Sequence, residues 1–152
     1  MPELKTEWLC EMSITIGETQ GLSATPHGNL VIVPVTGGTF AGPKLKGEVL
    51  PGGGDWLHIR LDGVQELDVR ITLRTDDGHL IYMTYRGVSI EPPEDVQQRA
   101  GGEAVDPPET YWRTAHFFET GSEKFGWLNE IVAIGMGRGT PTAVEYTVYS
   151  VL

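Results

Sequence analysis

The sequence predicts an all-β protein, a sandwich or a barrel, on three observations. Twenty Gly and ten Pro in 152 residues fall between short runs rich in Val, Ile, Thr and Tyr, the punctuation of many short strands. Residues 64–75 alternate, with Leu67, Val69, Ile71 and Leu73 on one face and Asp68, Arg70, Thr72 and Arg74 on the other, the period of a half-buried strand. Asp62-Gly63 and Asp77-Gly78 stand between such runs, and an Asp-Gly pair in that position is a strong hairpin signal.

In chain order, strands are expected at 7–17, 30–35, 46–50, 56–61, 64–75, 80–87, 111–119, 128–135 and 143–151. The glycine clusters TGGTFAGP (36–43) and PGGGDW (51–56) mark bends, bulges or close backbone approaches. GMGRGT (135–140) has the look of a phosphate loop, but no helix follows it and no Walker lysine occurs, so a hairpin turn is expected there. The segment 91–108, EPPEDVQQRAGGEAVDPP, is polar and proline-bounded. It reads as a solvated connection, or as a lid with one or two helical turns over a barrel mouth. No repeat or boundary interrupts the chain, so a single domain is expected over residues 1–152.

Composition narrows the function classes. A hydrophobic content of 39% with four Trp argues for a folded core. A net charge of −10 without a basic patch argues against nucleic acid or an anionic membrane as partner. No apolar run approaches a membrane span, and Glu3, Glu7 and Glu11 interrupt any signal-peptide core. The single Cys10 allows no internal disulfide and reads as packed in a strand. A soluble, cytoplasmic protein is expected. The four His never fall at i,i+2 or i,i+4 spacing, and neither HExxH nor CxxC occurs, so no metal and no cofactor is expected.

The positive signals are charges and aromatics placed within strands. Asp55 shares parity with Leu57, Ile59 and Leu61, which puts its carboxylate on an apolar face. There it either has a raised pKa suited to proton transfer or caps the glycine turn through backbone N–H groups. Arg70 and Arg74 share a face with Asp68, and that polar set faces either a lumen or solvent. In YWRTAHFFETG (111–121), Tyr111, Arg113 and Glu119 share one parity, with Trp112, His116 and Phe118 on the other. Arg113 reads as a solvated arginine or as one held in the lumen by Asp55, Asp68 or Glu119. Trp127 and Asn129 are expected on one strand face with Ile131, Ala133 and Gly135, where the small residues leave room for a pocket.

With GGTFAGPKLKGEVLPGGGDW, LDVRITLRTDDGHLIY, YWRTAHFFETG and WLN in view, the chain resembles the bacterial and fungal family of unknown function numbered 3237, also called uncharacterised protein family 0311. The likeness runs from about Gly28 to Tyr149, with Gly54 where the family often has alanine and His116 where it has proline or arginine. The resemblance implies a single antiparallel calycin-like β-barrel with an internal pocket, and no settled activity. The motif positions it carries over are Asp55, Trp56, Arg70, Arg74, Asp76, Tyr111, Arg113, Glu119, Thr120, Trp127 and Asn129. On that barrel, the glycine turn would aim Asp55 at the cavity mouth.

Two functions follow as expectations. The first is a cofactor-independent acid–base enzyme of isomerase, cyclase or hydro-lyase type acting on a small aromatic or carboxylate-bearing metabolite. Asp55 or Glu119 would be the base, Arg113 or Arg70 the cation and Tyr111 a phenol donor, with Trp127, Phe118, Thr120 and Asn129 shaping the ligand site. The second is a calycin-type carrier that binds a small ligand without chemistry. Charged groups converging on an empty volume would favour the first, and an apolar lining with one polar anchor the second. A homodimer is the expected assembly.

Overall fold

A computed structural model describes residues 1–90 and 110–152; the lid expected at 91–108 lies outside the described residues. Ten strands form one antiparallel sheet: β1 (Thr6–Ile16), β2 (Gln20–Thr25), β3 (Gly28–Ala41), β4 (Lys46–Val49), β5 (Gly54–Ile59), β6 (Gln65–Thr75), β7 (Leu80–Ile90), β8 (Tyr111–Glu119), β9 (Ala133–Gly139) and β10 (Ala143–Val151). The order runs β1-β10-β9-β8-β7-β6, then through β4 and β5 to β3, and β3 pairs with β1 again. The sheet is therefore a closed barrel, and among the described strands β2 is left paired on one side only, to β3. Among the described residues no helix is long and apolar enough to cross a membrane.

Two strand pairs act as single bent staves, so ten strands close as eight. β4 and β5 lie end to end between β3 and β6, and β2 continues β1 along β3, joined where Gly17 N donates to Pro34 O. The glycines at 52–54 sit at the first of these joints. Val49 faces Leu73 and Gly54 faces Arg70, so the β4–β5 stave holds more residues than β6 does over the same stretch and must bulge. The bulge is pinned by Leu50 N to Thr72 O at 2.9 Å and Val35 N to Gly53 O at 2.9 Å. Only glycine fits at 53, because a Cβ there would lie 2.3 Å from Arg70 O.

Alternation decides what fills the lumen. Leu67, Val69, Ile71 and Leu73 from β6, Ile81, Met83 and Tyr85 from β7, and Met12 and Ile14 from β1 are all buried. At one end Phe40, Phe118, Phe125 and Leu128 complete a solid core. Cys10 is packed there, and burial pushes its thiol up to about 12.

Several expectations need correction. The strand expected at 128–135 begins at Ala133, because Gly126–Glu130 forms a short 3-10 turn that plugs the barrel with Leu128. GMGRGT is mostly strand: residues 135–139 belong to β9, and the reversal follows at Thr140, which bonds Ala143. β2 went unforeseen because QGLSAT is exposed nearly throughout and carries no alternation.

Candidate functional site

The half of the lumen away from the solid core holds a cavity of about 260 Å³. Its walls are mostly apolar: Ile14 and Ile16 from β1, three valines from β3, Leu57 and Ile59 from β5, and Leu67 and Val69 from β6. Asp55 is the one charged side chain among the described lining residues. The bulge sets this position, since β5 restarts at Gly54 with Asp55, Leu57 and Ile59 turned inward and Trp56 outward.

Asp55 Oδ1 accepts a hydrogen bond from the backbone N of Asp68 at 3.0 Å. Burial nevertheless dominates and raises the carboxyl to about 6, with the backbone bond opposing the rise and the Asp68 charge adding to it. Of the two sequence readings of Asp55, the half-buried acid on an apolar face is the one seen; the backbone N–H it accepts belongs to Asp68 on β6 and not to the glycine turn. The net result is a group that both takes and gives a proton near neutral pH.

The floor of the cavity is aromatic. Tyr85 stacks on His116 with centroids 4.4 Å apart, and Tyr146 meets Tyr85 at 5.1 Å and Trp112 at 6.0 Å edge-on. Tyr85, Trp112 and Tyr146 all line the cavity. Burial holds both phenols well above their ordinary pKa, each interacts with the other, and the Asp55 charge raises them further. They are therefore neutral hydrogen-bonding groups beside a single carboxyl. His116 lies beneath, bonded to Thr114 Oγ1 at 2.7 Å. Desolvation lowers it to about 3, so it is neutral and not a proton carrier.

The small residues of β9 make this floor possible. A Cβ on Gly135 would lie 2.5 Å from His116 Nε2, and one on Gly137 would lie 2.7 Å from Trp112 Nε1. The room expected at Ala133 and Gly135 is real, but the rings of β8 fill it.

The remaining sequence candidates do not join Asp55. β8 turns Trp112, Thr114, His116 and Phe118 inward, so Tyr111, Arg113 and Glu119 face out. Arg113 does not pair with a carboxylate in the lumen: Nη1 donates to Trp112 O at 2.9 Å, and its guanidinium lies over the Tyr111 ring at 5.1 Å. Arg70 is exposed on the outer face of β6 in a groove with Tyr82, Arg86 and Phe117. Arg74 and Asp76 pair on the surface with Glu48 and Lys46. Phe118 is in the solid core and does not line the cavity. Thr120 and Asn129 clamp the end of β8 to the 3-10 turn, with Thr120 N donating to Asn129 Oδ1 at 2.8 Å and Asn129 Nδ2 to Thr120 O at 2.9 Å. Trp127, within that turn, packs against the core with Lys44 over its ring. The outer face of β8 carries Phe117 and Tyr111, each about half exposed, which is why aromatic content did not reveal the inner face. The signal that would have found Trp112 and Tyr146 is the pairing of inward glycines on β9 with large rings on its neighbours β8 and β10.

Comparison with known proteins agrees with this architecture. A family model described as a protein of unknown function (DUF3237) matches residues 4–151. A UPF0311 protein of Rhodopseudomonas palustris is 33% identical over 151 residues, covering 99% of each chain. A β-barrel-like protein from Acinetobacter baumannii superposes with a TM-score of 0.86 at 36% identity, covering 100% of this chain and 98% of the other. An enzyme from Penicillium herquei shares the fold at a TM-score of 0.71 and 24% identity, covering 97% of each chain. Matched from end to end by the family model and by barrels of the same build, the chain belongs to the DUF3237 family.

Proposed function

We propose that the protein is a cofactor-independent enzyme that moves a proton on a small, largely apolar or aromatic metabolite held in the barrel cavity. The reading rests on one observation above all: Asp55, the single charged residue among the described lining residues, is an acid raised to about 6 with two neutral phenols beside it. A carboxyl at that pKa takes a proton from carbon and returns it elsewhere, so one group serves an isomerisation or the addition and elimination of water. Tyr146 and Tyr85 would steady the charge that develops on the substrate. The Penicillium herquei barrel, described as an enzyme, supports the fold's fitness for chemistry. Arg70 and Arg113 lie outside the cavity, so support for a carboxylate-bearing ligand is gone, and an apolar or aromatic one remains.

A second reading is favoured by the lining itself. One charged group among the described lining residues, in walls that are otherwise largely apolar, suits a calycin-type carrier. The two readings separate by solvent isotope exchange: cyclic ketones incubated in D2O should gain deuterium next to the carbonyl in the presence of the protein. Asp55→Asn should reduce that exchange to the uncatalysed level while the variant still binds the ketone. Binding without exchange by the unaltered protein would establish the carrier.

A further inference from the structure

Trp112 is 5% exposed and lines the cavity, yet its Nε1 makes no hydrogen bond with any described residue. Buried donors almost always have a partner, and one without an acceptor carries a cost that a native fold keeps for a reason. The indole has not settled there by default. Gly137 on β9 leaves the space it occupies, and any side chain would press on Nε1 and Cδ1 at 2.7 Å. The N–H also lies near enough to the Tyr146 hydroxyl to favour its ionised form, without closing a hydrogen bond of normal geometry. An indole N–H and a phenol O–H thus stand together on a wall whose other members are mainly hydrocarbon.

Both groups can donate, and the indole can do nothing else. The acceptor they suit is an oxygen with two lone pairs. Among the described lining residues the one charge is the Asp55 carboxylate and there is no cation, so an anionic ligand would meet repulsion that these residues do not compensate. A cavity of about 260 Å³ admits more than the single benzene held by an apolar cavity of about 150 Å³. From these observations we infer that the natural ligand is an uncharged, mainly apolar ring compound bearing a carbonyl oxygen. That oxygen is bound by Trp112 Nε1 and the Tyr146 hydroxyl, and Gly137 positions the indole. The inference rests on the cavity being the ligand site, as under the proposed function, and adds the donor pair and the oxygen it holds.

The test uses a matched pair of probes, 1-tetralone and tetralin, which differ at the carbonyl. Titrations are followed by the indole N–H resonances of the whole protein, with Trp112 assigned through Trp112→Phe. Tetralone should bind the more tightly, by about tenfold, the worth of one hydrogen bond, and should shift the Trp112 N–H downfield; tetralin should leave that resonance unshifted. Trp112→Phe should erase the preference for the ketone while tetralin binding stays within about twofold. Gly137→Ala, which displaces the indole without removing it, should reduce the preference in the same direction and keeps the test open if Trp112→Phe does not fold. Equal binding of the two probes, or no binding of either, overturns the inference. So does a ketone preference that survives in both variants. If the resonance shifts as expected but no deuterium exchange occurs, the donor pair stands and the enzymatic reading fails.

Discussion

Asp55 and His116 are both buried against their charged forms, and they pull the pH dependence of stability in opposite directions. Asp55 is raised from 3.8 to about 6. Below pH 3.8 it is protonated in both states and costs nothing. As pH rises through 6, the folded state must hold a desolvated carboxylate, and stability is lost. His116 is lowered from 6.5 to about 3, so its contribution is intact above 6.5 and is lost as pH falls through that value towards 3. Asp55→Asn keeps the acceptor for Asp68 N and removes the ionisation. It should therefore raise stability at pH 8 by about 1–3 kcal/mol, allowing for the partial exposure of the side chain, and change it little near pH 4. Urea titrations at the two pH values measure this directly. A variant no more stable than the parent at pH 8 would show that the carboxylate is well solvated, and the acid would lose its claim to a perturbed pKa. Gaining stability while losing exchange activity is the signature of a strained functional group.

At the scale of single elements, the β4–β5 joint makes a sharper demand than the hairpins do. At Gly52 (φ +105°) a Cβ would meet nothing within 4 Å, whereas at Gly53 it would strike Arg70 O at 2.3 Å. Gly52→Ala should cost about 1 kcal/mol, the left-handed penalty alone. Gly53→Ala should cost more than about 2 kcal/mol, because the obstacle is backbone in the neighbouring stave. Melting temperatures of the two variants give the ranking, and an equal loss would mean the bulge relaxes freely. The hairpin at Asp77-Gly78, the alternation of β6 and the bounds of β8 and β10 were legible because period and turn chemistry are local. The bulge was legible as a glycine cluster and its product, an inward Asp55, as a parity. Which face of β8 points inward was not, since Trp112 and Tyr111 are equally aromatic and only the register with β9, where Gly135 faces Thr114, distinguishes them. Trp127 and Asn129 were misplaced for a related reason. Read as a strand, WLN puts Trp127 and Asn129 on one face, but the turn beginning at Ser122, whose Oγ accepts from Phe125 N, and the Thr120–Asn129 clamp coil the segment before β9 begins.

Across the whole molecule, closure depends on contacts between residues far apart in sequence. β6 and β7 meet across a short turn at residues 76–79, with Arg74 opposite Leu80. By contrast, β1 reaches across the chain to β10, where Thr147 Oγ1 donates to Glu11 from 136 residues away. Chain entropy makes the first contact quick and the second slow. Pulse-labelled hydrogen exchange during refolding should protect β6–β7 amides first and those of the β1–β10 and β1–β3 seams last. Simultaneous protection of the two regions would contradict this order. The cavity is built across the late seam: Ile14 and Ile16 come from β1, Val144 and Tyr146 from β10, and its valines from β3. A ligand in the cavity therefore bridges contacts that form after the main barrier has been crossed. 1-Tetralone should accordingly slow unfolding, in proportion to its occupancy, and leave the refolding rate nearly unchanged. Stopped-flow tryptophan fluorescence with and without the ketone resolves the two rates. If the ketone speeds refolding instead, the cavity walls are assembled early and the barrel closes before its hairpins mature.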